Sequence, residues 1–120
     1  MENIIIDTSS ILFGLSINFD AFKAAETRLC LRPCVSKGVL RELSGIARSR
    51  KSNRKYASVA ISLIKKYNVK VYPDAGHVDN WILKSAHDIK NICTNDTRLR
   101  MKLRHAGIKP YTISMDGEFR

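Results

Sequence analysis

The 120-residue chain reads as an α/β protein: a central parallel sheet of about five strands flanked by helices. Three observations predict this. Ile4, Ile5 and Ile6 form an unbroken β-branched run near the N-terminus, the pattern of a strand buried on both faces. Short apolar runs alternate with segments of helical periodicity along the whole chain, as βα units do. With 44% apolar residues, a chain this long can bury one real core and has no room for a second domain, so residues 1–120 are expected to form a single domain.

Each element has its own signal. After the first strand, Ser9 or Ser10 can cap a short helix carrying Ile11, Leu12 and Leu15, and Asn18 or Asp20 can start another bearing Phe22, Ala25 and Leu29. Residues 31–35 read as the second strand, with Pro33 near its beginning, where a missing donor is tolerated. Ser36 starts a helix in which Val39, Leu40, Leu43, Ile46 and Ala47 keep helical spacing. The stretch 48–55 has no apolar residue and cannot be core. Asn53 can cap the next helix, striped by Tyr56, Val59, Ala60, Leu63 and Tyr67, and residues 69–72 form the third strand. A turn is expected at 73–76, then a helix over about 79–88 with Ile82, Leu83, Ala86 and Ile89 on one side, then a strand at 91–94. A basic helix over 96–106 ends at Gly107, residues 111–113 make the last strand, and 115–120 reads as a frayed tail.

Charge narrows the function. Against 11 Asp and Glu stand 21 Lys and Arg, a formal charge of +10 that suits a polyanionic partner, because phosphates release counterions when basic residues bind them. The N-terminus lacks the basic flank and long apolar core of a signal peptide, and no run approaches the roughly 20 apolar residues of a membrane span, so a cytoplasmic protein with no membrane partner is expected. Cys30, Cys34 and Cys93 are odd in number and lack the spacing of a zinc site, which points to reduced core thiols.

The carboxylates carry the specific signal. Asp7 ends the first strand and Asp96 follows the strand Ile92-Cys93-Thr94, and in open α/β sheets chemistry gathers at the carboxyl ends of strands. Glu42, three residues after Val39 and four before Ile46, is expected on or beside the buried face of its helix, and Asp79 stands in the same relation to Ile82 and Leu83. Asp79 and Asp96 also suit helix caps, Glu42 an ion pair at its helix edge, and Asp7 a hydroxyl-rich turn. Four such positions on one edge of one sheet have a simpler shared cause, a divalent cation. Clustered carboxylates raise one another's pKa unless positive charge lies between them, and an all-oxygen donor set favours Mg²⁺ or Mn²⁺. One or two such ions, about 4 Å apart, can activate a water against a phosphodiester.

At these residues the chain resembles the PIN-domain nuclease family. The motifs are Asp7-Thr8-Ser9, Val39-Leu40-Arg41-Glu42-Leu43, Asp79-Asn80-Trp81-Ile82 and Thr94-Asn95-Asp96, in the family's order from residue 4 to residue 113. With Leu99, Arg100 and the later Gly107-Ile108-Lys109-Pro110, they look most like archaeal relatives of small-subunit rRNA-processing nucleases, with VapC-type toxins next. The resemblance implies a PIN-like three-layer fold and a metal-dependent endoribonuclease, a hydrolase with water as nucleophile. Asp7, Glu42, Asp79 and Asp96 would ligate Mg²⁺ or Mn²⁺, with Thr8, Ser9, Thr94 and Asn95 holding the ligands or the metal's waters. RNA is the implied partner, along with a second copy of the chain and an antitoxin or ribosome-assembly protein. Asn80 and Arg98 depart from the pattern, standing where several rRNA-processing relatives carry further acids.

Arg48, Arg50, Lys51, Arg54 and Lys55 after the Glu42 helix, and Arg98, Lys102 and Arg104 after Asp96, are the residues expected to flank a substrate channel, although exposed helices are often charged without a ligand. Tyr56, Trp81 and Tyr111 can stack on bases or pack in the core; His77, His87 and His105 lack ligand spacing or a partnered nucleophile. Two rivals fit less well. A phospho-acceptor receiver domain shares the alternating pattern and suits Lys109-Pro110, but Asp7 has no acidic neighbour and Glu42 would have no role. A binding module that has lost catalysis predicts eroded acids, and all four are present.

Overall fold

The computed structural model of the chain describes residues 1–74 and 77–120. Part of the expected turn at 73–76 therefore lies outside the described residues. Four strands, β1 (Asn3–Ile6), β2 (Arg32–Ser36), β3 (Lys70–Tyr72) and β4 (Ile92–Cys93), pair in the order β3-β2-β1-β4, all parallel. Among the described residues six helices connect and follow them: α1 (Thr8–Ser16) and α2 (Ala21–Leu29), α3 (Lys37–Ala47) and α4 (Arg54–Lys66), α5 (Val78–Ile89), and α6 (Thr97–His105).

The isoleucine run explains the layering. Successive strand residues point to opposite faces, so Ile4 and Ile6 join a core with Ile11, Phe22, Val39, Leu43, Ala57, Ala60 and Ile64 from α1 to α4. Ile5 joins a second core with Ile82, Ala86, Ile92, Leu99 and Leu103 from α5, β4 and α6. All three isoleucines are fully buried. After β1 the chain winds outward through β2 to β3, and α5 then returns it to β4 on the other side of β1. The sheet order thus reverses between β1 and β4, and a crevice opens at the carboxyl ends of strands that diverge this way. Asp7 and Thr94 lie on its two sides.

Local chemistry sets the helix ends. Asp20 caps α2, accepting hydrogen bonds from the amides of Phe22 and Lys23, and Ser36 caps α3 through the amide of Val39. Gly107, at φ +84°, closes α6 as expected. Asn53 precedes α4 but its side chain makes no cap bond. Helix α1 begins two or three residues earlier than a Ser9 or Ser10 cap would give, with Asp7 at the capping position, because the Ser9 and Ser10 hydroxyls bond across to the segment after β4.

Four expectations need correction. Val59 does not belong to the buried stripe of α4: it is 45% exposed, because packing turns the helix so that Ala57, Ala60 and Ile64 face the core. The fifth strand shrinks to a single parallel bridge between Cys93 and Tyr111: β4 is only two residues long, and Pro110 has no N–H to extend the ladder. Residues 115–120 are not frayed. They fold back on 112–114, with the Arg120 amide donating to the Thr112 carbonyl (2.8 Å) and the Ser114 amide to the Glu118 carbonyl (2.9 Å), around a turn that needs Gly117 at φ +75°. Phe119 anchors this hairpin, its ring centroid 5.3 Å from that of Phe19 and 6.1 Å from that of Tyr111, both edge-on. Of the three free cysteines only Cys34 and Cys93 are core thiols, burial pushing both pKa values up, that of Cys93 to about 12; Cys30 is exposed at the end of α2.

If the hairpin is part of the folded domain, Phe119→Ala removes a partly buried aromatic and should lower stability by about 1.5–3 kcal/mol, read as a lower urea midpoint. An unchanged midpoint would restore the frayed tail.

Candidate metal centre

Asp7 is held at the mouth of the crevice from both strands. Its amide donates to the Cys93 carbonyl (2.9 Å), extending the β1–β4 ladder by one bond, and its Oδ2 accepts from Thr94 Oγ1 (2.9 Å) and Ser9 Oγ (3.0 Å). The residue is 6% exposed. Burial raises its pKa above the ordinary 3.8; hydrogen bonds from Thr94 and Ser9 oppose the shift, and the charge of Glu42 adds to it.

Glu42 reaches the same mouth from α3. Its Oε1 accepts a 2.7 Å hydrogen bond from Thr8 Oγ1, the residue next to Asp7. Glu42 is exposed, beside the buried face rather than on it: the buried side of α3 is drawn by Gly38, Val39 and Leu43, and Glu42, about 100° around the helix from Leu43, falls on the rim. Asp96 is also exposed and caps α6, its Oδ1 accepting from the Leu99 amide (2.9 Å), while its own amide donates to Thr94 Oγ1 (3.1 Å). Thr94 therefore links two acids with one hydroxyl. Asn95 staples the loop: its amide donates to Ser9 Oγ (3.0 Å), its Oδ1 accepts from Ser10 Oγ (2.7 Å) and the Ile113 amide (3.0 Å), and its Nδ2 donates to the Ile113 carbonyl (2.8 Å).

The Asp7 carboxylate and the Asp96 amide thus share the Thr94 hydroxyl, and Glu42 is held beside them by Thr8, the chain neighbour of Asp7. Asp79 is not. It lies half-buried in the first turn of α5, and among the described residues no hydrogen bond joins it to the other acids. Among those residues, too, no three His, Cys, Asp or Glu side chains converge tightly enough to hold a metal alone. The donor set is nevertheless all oxygen, with a desolvated carboxylate at its centre, which fits a hard divalent cation completed by waters.

The sequence reading missed Asp74. Its side chain is fully buried, and its two oxygens accept from the Gly38 amide at 3.0 and 3.1 Å, with Arg41 Nη2 at 3.4 Å. The carboxylate docks on the first turn of α3, the helix that carries Glu42. A Cβ at position 38 would collide with that carboxylate and with Val78, so glycine is required there. The Gly38-Val39 start of the helix was the available signal, but nothing local pairs it with a residue 36 positions away.

The expected basic residues 48–55 form the α3–α4 corner, and Arg98, Lys102 and Arg104 are exposed on α6. Trp81 packs against the second core beside Tyr72, with centroids 5.7 Å apart, and Tyr111 against the first, so both are packing residues.

Two outcomes are expected. Because Asp7 binds its proton more tightly in the folded state, its stabilising contribution is full below the unfolded pKa and lost as pH rises through the folded one. Asp7→Asn should therefore raise the thermal midpoint at pH 7 without divalent cations, with a gain that vanishes below about pH 3.8; a lower midpoint at pH 7 contradicts a burial-strained Asp7. Asp74→Ala leaves the Gly38 amide without its acceptor and should cost about 1–3 kcal/mol in denaturant unfolding.

Against known proteins, a family model described as "PIN like domain" matches residues 4–114. The chain is similar to the solved structure of the PIN domain endonuclease Utp24, with 25% identity, 93% of this chain and 85% of that chain covered, and a TM-score of 0.75. It shares its fold with a domain of a functionally unknown protein from Methanocaldococcus jannaschii DSM 2661, at 17% identity, 95% and 92% coverage, and a TM-score of 0.64. No curated protein matches the sequence.

Proposed function

The chain belongs to the PIN-like domain family, and from that premise we propose that it is a metal-dependent endoribonuclease acting through Asp7, Glu42, Asp79 and Asp96. Family membership and the likeness to an endonuclease support a nuclease. The observation that supports the finer reading is the grouping of Asp7, Glu42 and Asp96 where the sheet order reverses: Thr94 bonds the Asp7 carboxylate and the Asp96 amide, and Glu42 is held by Thr8, the chain neighbour of Asp7. RNA as substrate is supported by the +10 charge and by the Thr94-Asn95-Asp96 pattern, and a role in rRNA processing by the resemblance of that pattern and of the Gly107-Ile108-Lys109-Pro110 stretch to nucleases of that kind.

Asp7, Glu42 and Asp96 would hold Mg²⁺ or Mn²⁺, with Asp79 completing the set from α5. The ion, when bound, supplies a water of lowered pKa and neutralises charge developing on the phosphate. The chain's own residues do the rest. Thr94 and Ser9 hold Asp7 Oδ2 in place, and Thr8 aims Glu42. The α6 cap turns Asp96 by one oxygen and leaves Oδ2 without a hydrogen-bond partner among the described residues. Burial of Asp7 removes competing water, which strengthens its interaction with any cation and with the substrate phosphate.

Single-turnover cleavage of a labelled RNA in Mn²⁺ or Mg²⁺ tests the reading. Asp7→Asn and Asp96→Asn should each slow cleavage at least about 100-fold, a loss of about 2.7 kcal/mol of barrier lowering. Thr94→Val, which keeps shape and removes the bridging hydroxyl, should lose about 10–100-fold and need more metal for half-maximal rate. Equal rates in wild type and both Asn variants would sink the metal site.

A further inference from the structure

Two grooves share Lys51, and Glu42 lines one of them. The first, about 300 Å³, is lined by Thr8, Arg41, Glu42, Gly45, Ile46 and Lys51. The second, about 530 Å³, is lined by Arg50, Lys51, Ser52, Arg54 and Lys55. Lys51 lines both, so the carboxylate groove opens into one whose charged side chains are all cationic. The larger volume falls within the roughly 300–1,000 Å³ of ligand sites, room for a nucleotide unit rather than a lone ion.

This corner is ordered by its own backbone. Ser49 Oγ donates to the Ile46 carbonyl (2.6 Å), the Lys51 amide to Ser49 Oγ (3.1 Å), and the Arg54 amide to the Lys51 carbonyl (3.2 Å). Four like charges are thereby kept together, and among the described residues no carboxylate lies within ion-pair distance of any of them. Their mutual repulsion is relieved when an anion binds. No aromatic side chain lines either groove, and the nearby Tyr56 ring is covered by Lys55 Nζ, 5.1 Å from its centroid. The corner offers charge for phosphates and no platform for bases. The cations of α6 are placed differently: Arg104 lines a separate groove with Gly107, Ile108 and Lys109, which shares no residue with the other two.

We propose that the α3–α4 corner is the track by which the phosphodiester backbone of an RNA strand reaches Glu42, with Lys51 at the junction, and that it grips the backbone without reading bases. This rests on the nuclease reading above and deepens it. Of the two basic groups expected from the sequence, the corner carries the main share of backbone binding and α6 a minor one. The choice of cleavage position is then made elsewhere, by RNA shape or by a bound partner.

The test is fluorescence anisotropy with labelled 12-nucleotide RNAs, one all-uridine and one of mixed sequence, over 50–300 mM KCl in EDTA so that cleavage is silent. Replacing Arg50, Lys51, Arg54 and Lys55 together by Ala should weaken binding at least 10-fold at 100 mM salt. It should also flatten the log affinity–log salt slope by about 3, at about 0.7 per phosphate contact on a single strand. Lys65→Ala with Lys66→Ala, at the far end of α4, should stay within twofold of wild type, and the two RNAs should bind alike. If the fourfold variant unfolds, Lys51→Ala with Arg54→Ala should give about half the slope change. Unchanged affinity and slope in a folded variant, an equal loss in the Lys65 and Lys66 control, or a tenfold preference between the RNAs would each overturn the track. Loss of the slope without cleavage by any form of the protein would keep the track and remove the nuclease reading instead.

Discussion

A carboxylate buried at the end of the central strand is the constraint on which the architecture turns. Asp7 is almost completely removed from water, and a charge so placed must be compensated locally. Two hydroxyls do part of this, and their positions require that β4 lie directly beside β1, in register with Cys93 opposite Ile6. The Asp7 amide and the Thr94 side chain act together: one extends the ladder, the other turns the carboxylate. Much of the remaining sequence can be understood as serving that juxtaposition. Ile5 and Ile92 pair across the strands within the second core, and Asn95 staples the loop after β4 to α1 and to Ile113 in the C-terminal hairpin.

Hydroxyls alone leave the compensation incomplete. Glu42 sits close enough to push the Asp7 pKa further in the direction that burial already drives it, and Thr8, which could have bonded elsewhere, holds Glu42 there. An arrangement that brings a second negative charge towards a buried first one is unfavourable for folding by itself. On the proposed reading, a divalent cation would relieve this repulsion. A related arrangement is the α3–α4 corner, where cations with no ion-pair partner among the described residues are gathered by a backbone that is itself well bonded. Negative centre and positive approach are adjacent, joined at Lys51.

Position along the sheet matters as much as charge. The order β3-β2-β1-β4 places the two acid-bearing loops on either side of the reversal, where helices leave on opposite faces and the strand ends are uncovered. The helix α3 then lies with its first turn pinned by Asp74 and its second turn presenting Glu42. Gly38 is small so that this pinning carboxylate can approach the helix end. Helix α5 is tied in differently, through Ile82 and Ala86 in the second core, and Asp79 is placed by packing rather than by a hydrogen bond to the other acids.

What the sequence by itself determined was everything written in short-range patterns. The isoleucine run forced a strand buried on both sides, period 3.6 marked the buried faces of α2, α3 and α5, and Gly107 ended α6 where glycine is needed. Asp7 and Asp96 were legible because a charge directly after an apolar run has only one place to go, the strand end. Other features depended on partners far away in the chain and were decided only by the tertiary structure. Phe119 became an anchor because Phe19 and Tyr111 happen to lie beneath it, which no local pattern in 115–120 records. Glu42 was expected on or beside the buried face, and packing of Gly38, Val39 and Leu43 decided that it lies beside it, since one residue along a helix is about 100° of rotation. Asp74 found Gly38, and Thr94 found Asp7, across 36 and 87 positions. Hydrogen bonds of that reach depend on how strands are ordered in the sheet, and periodicity, which reports only what neighbours in sequence do, carries no information about that order.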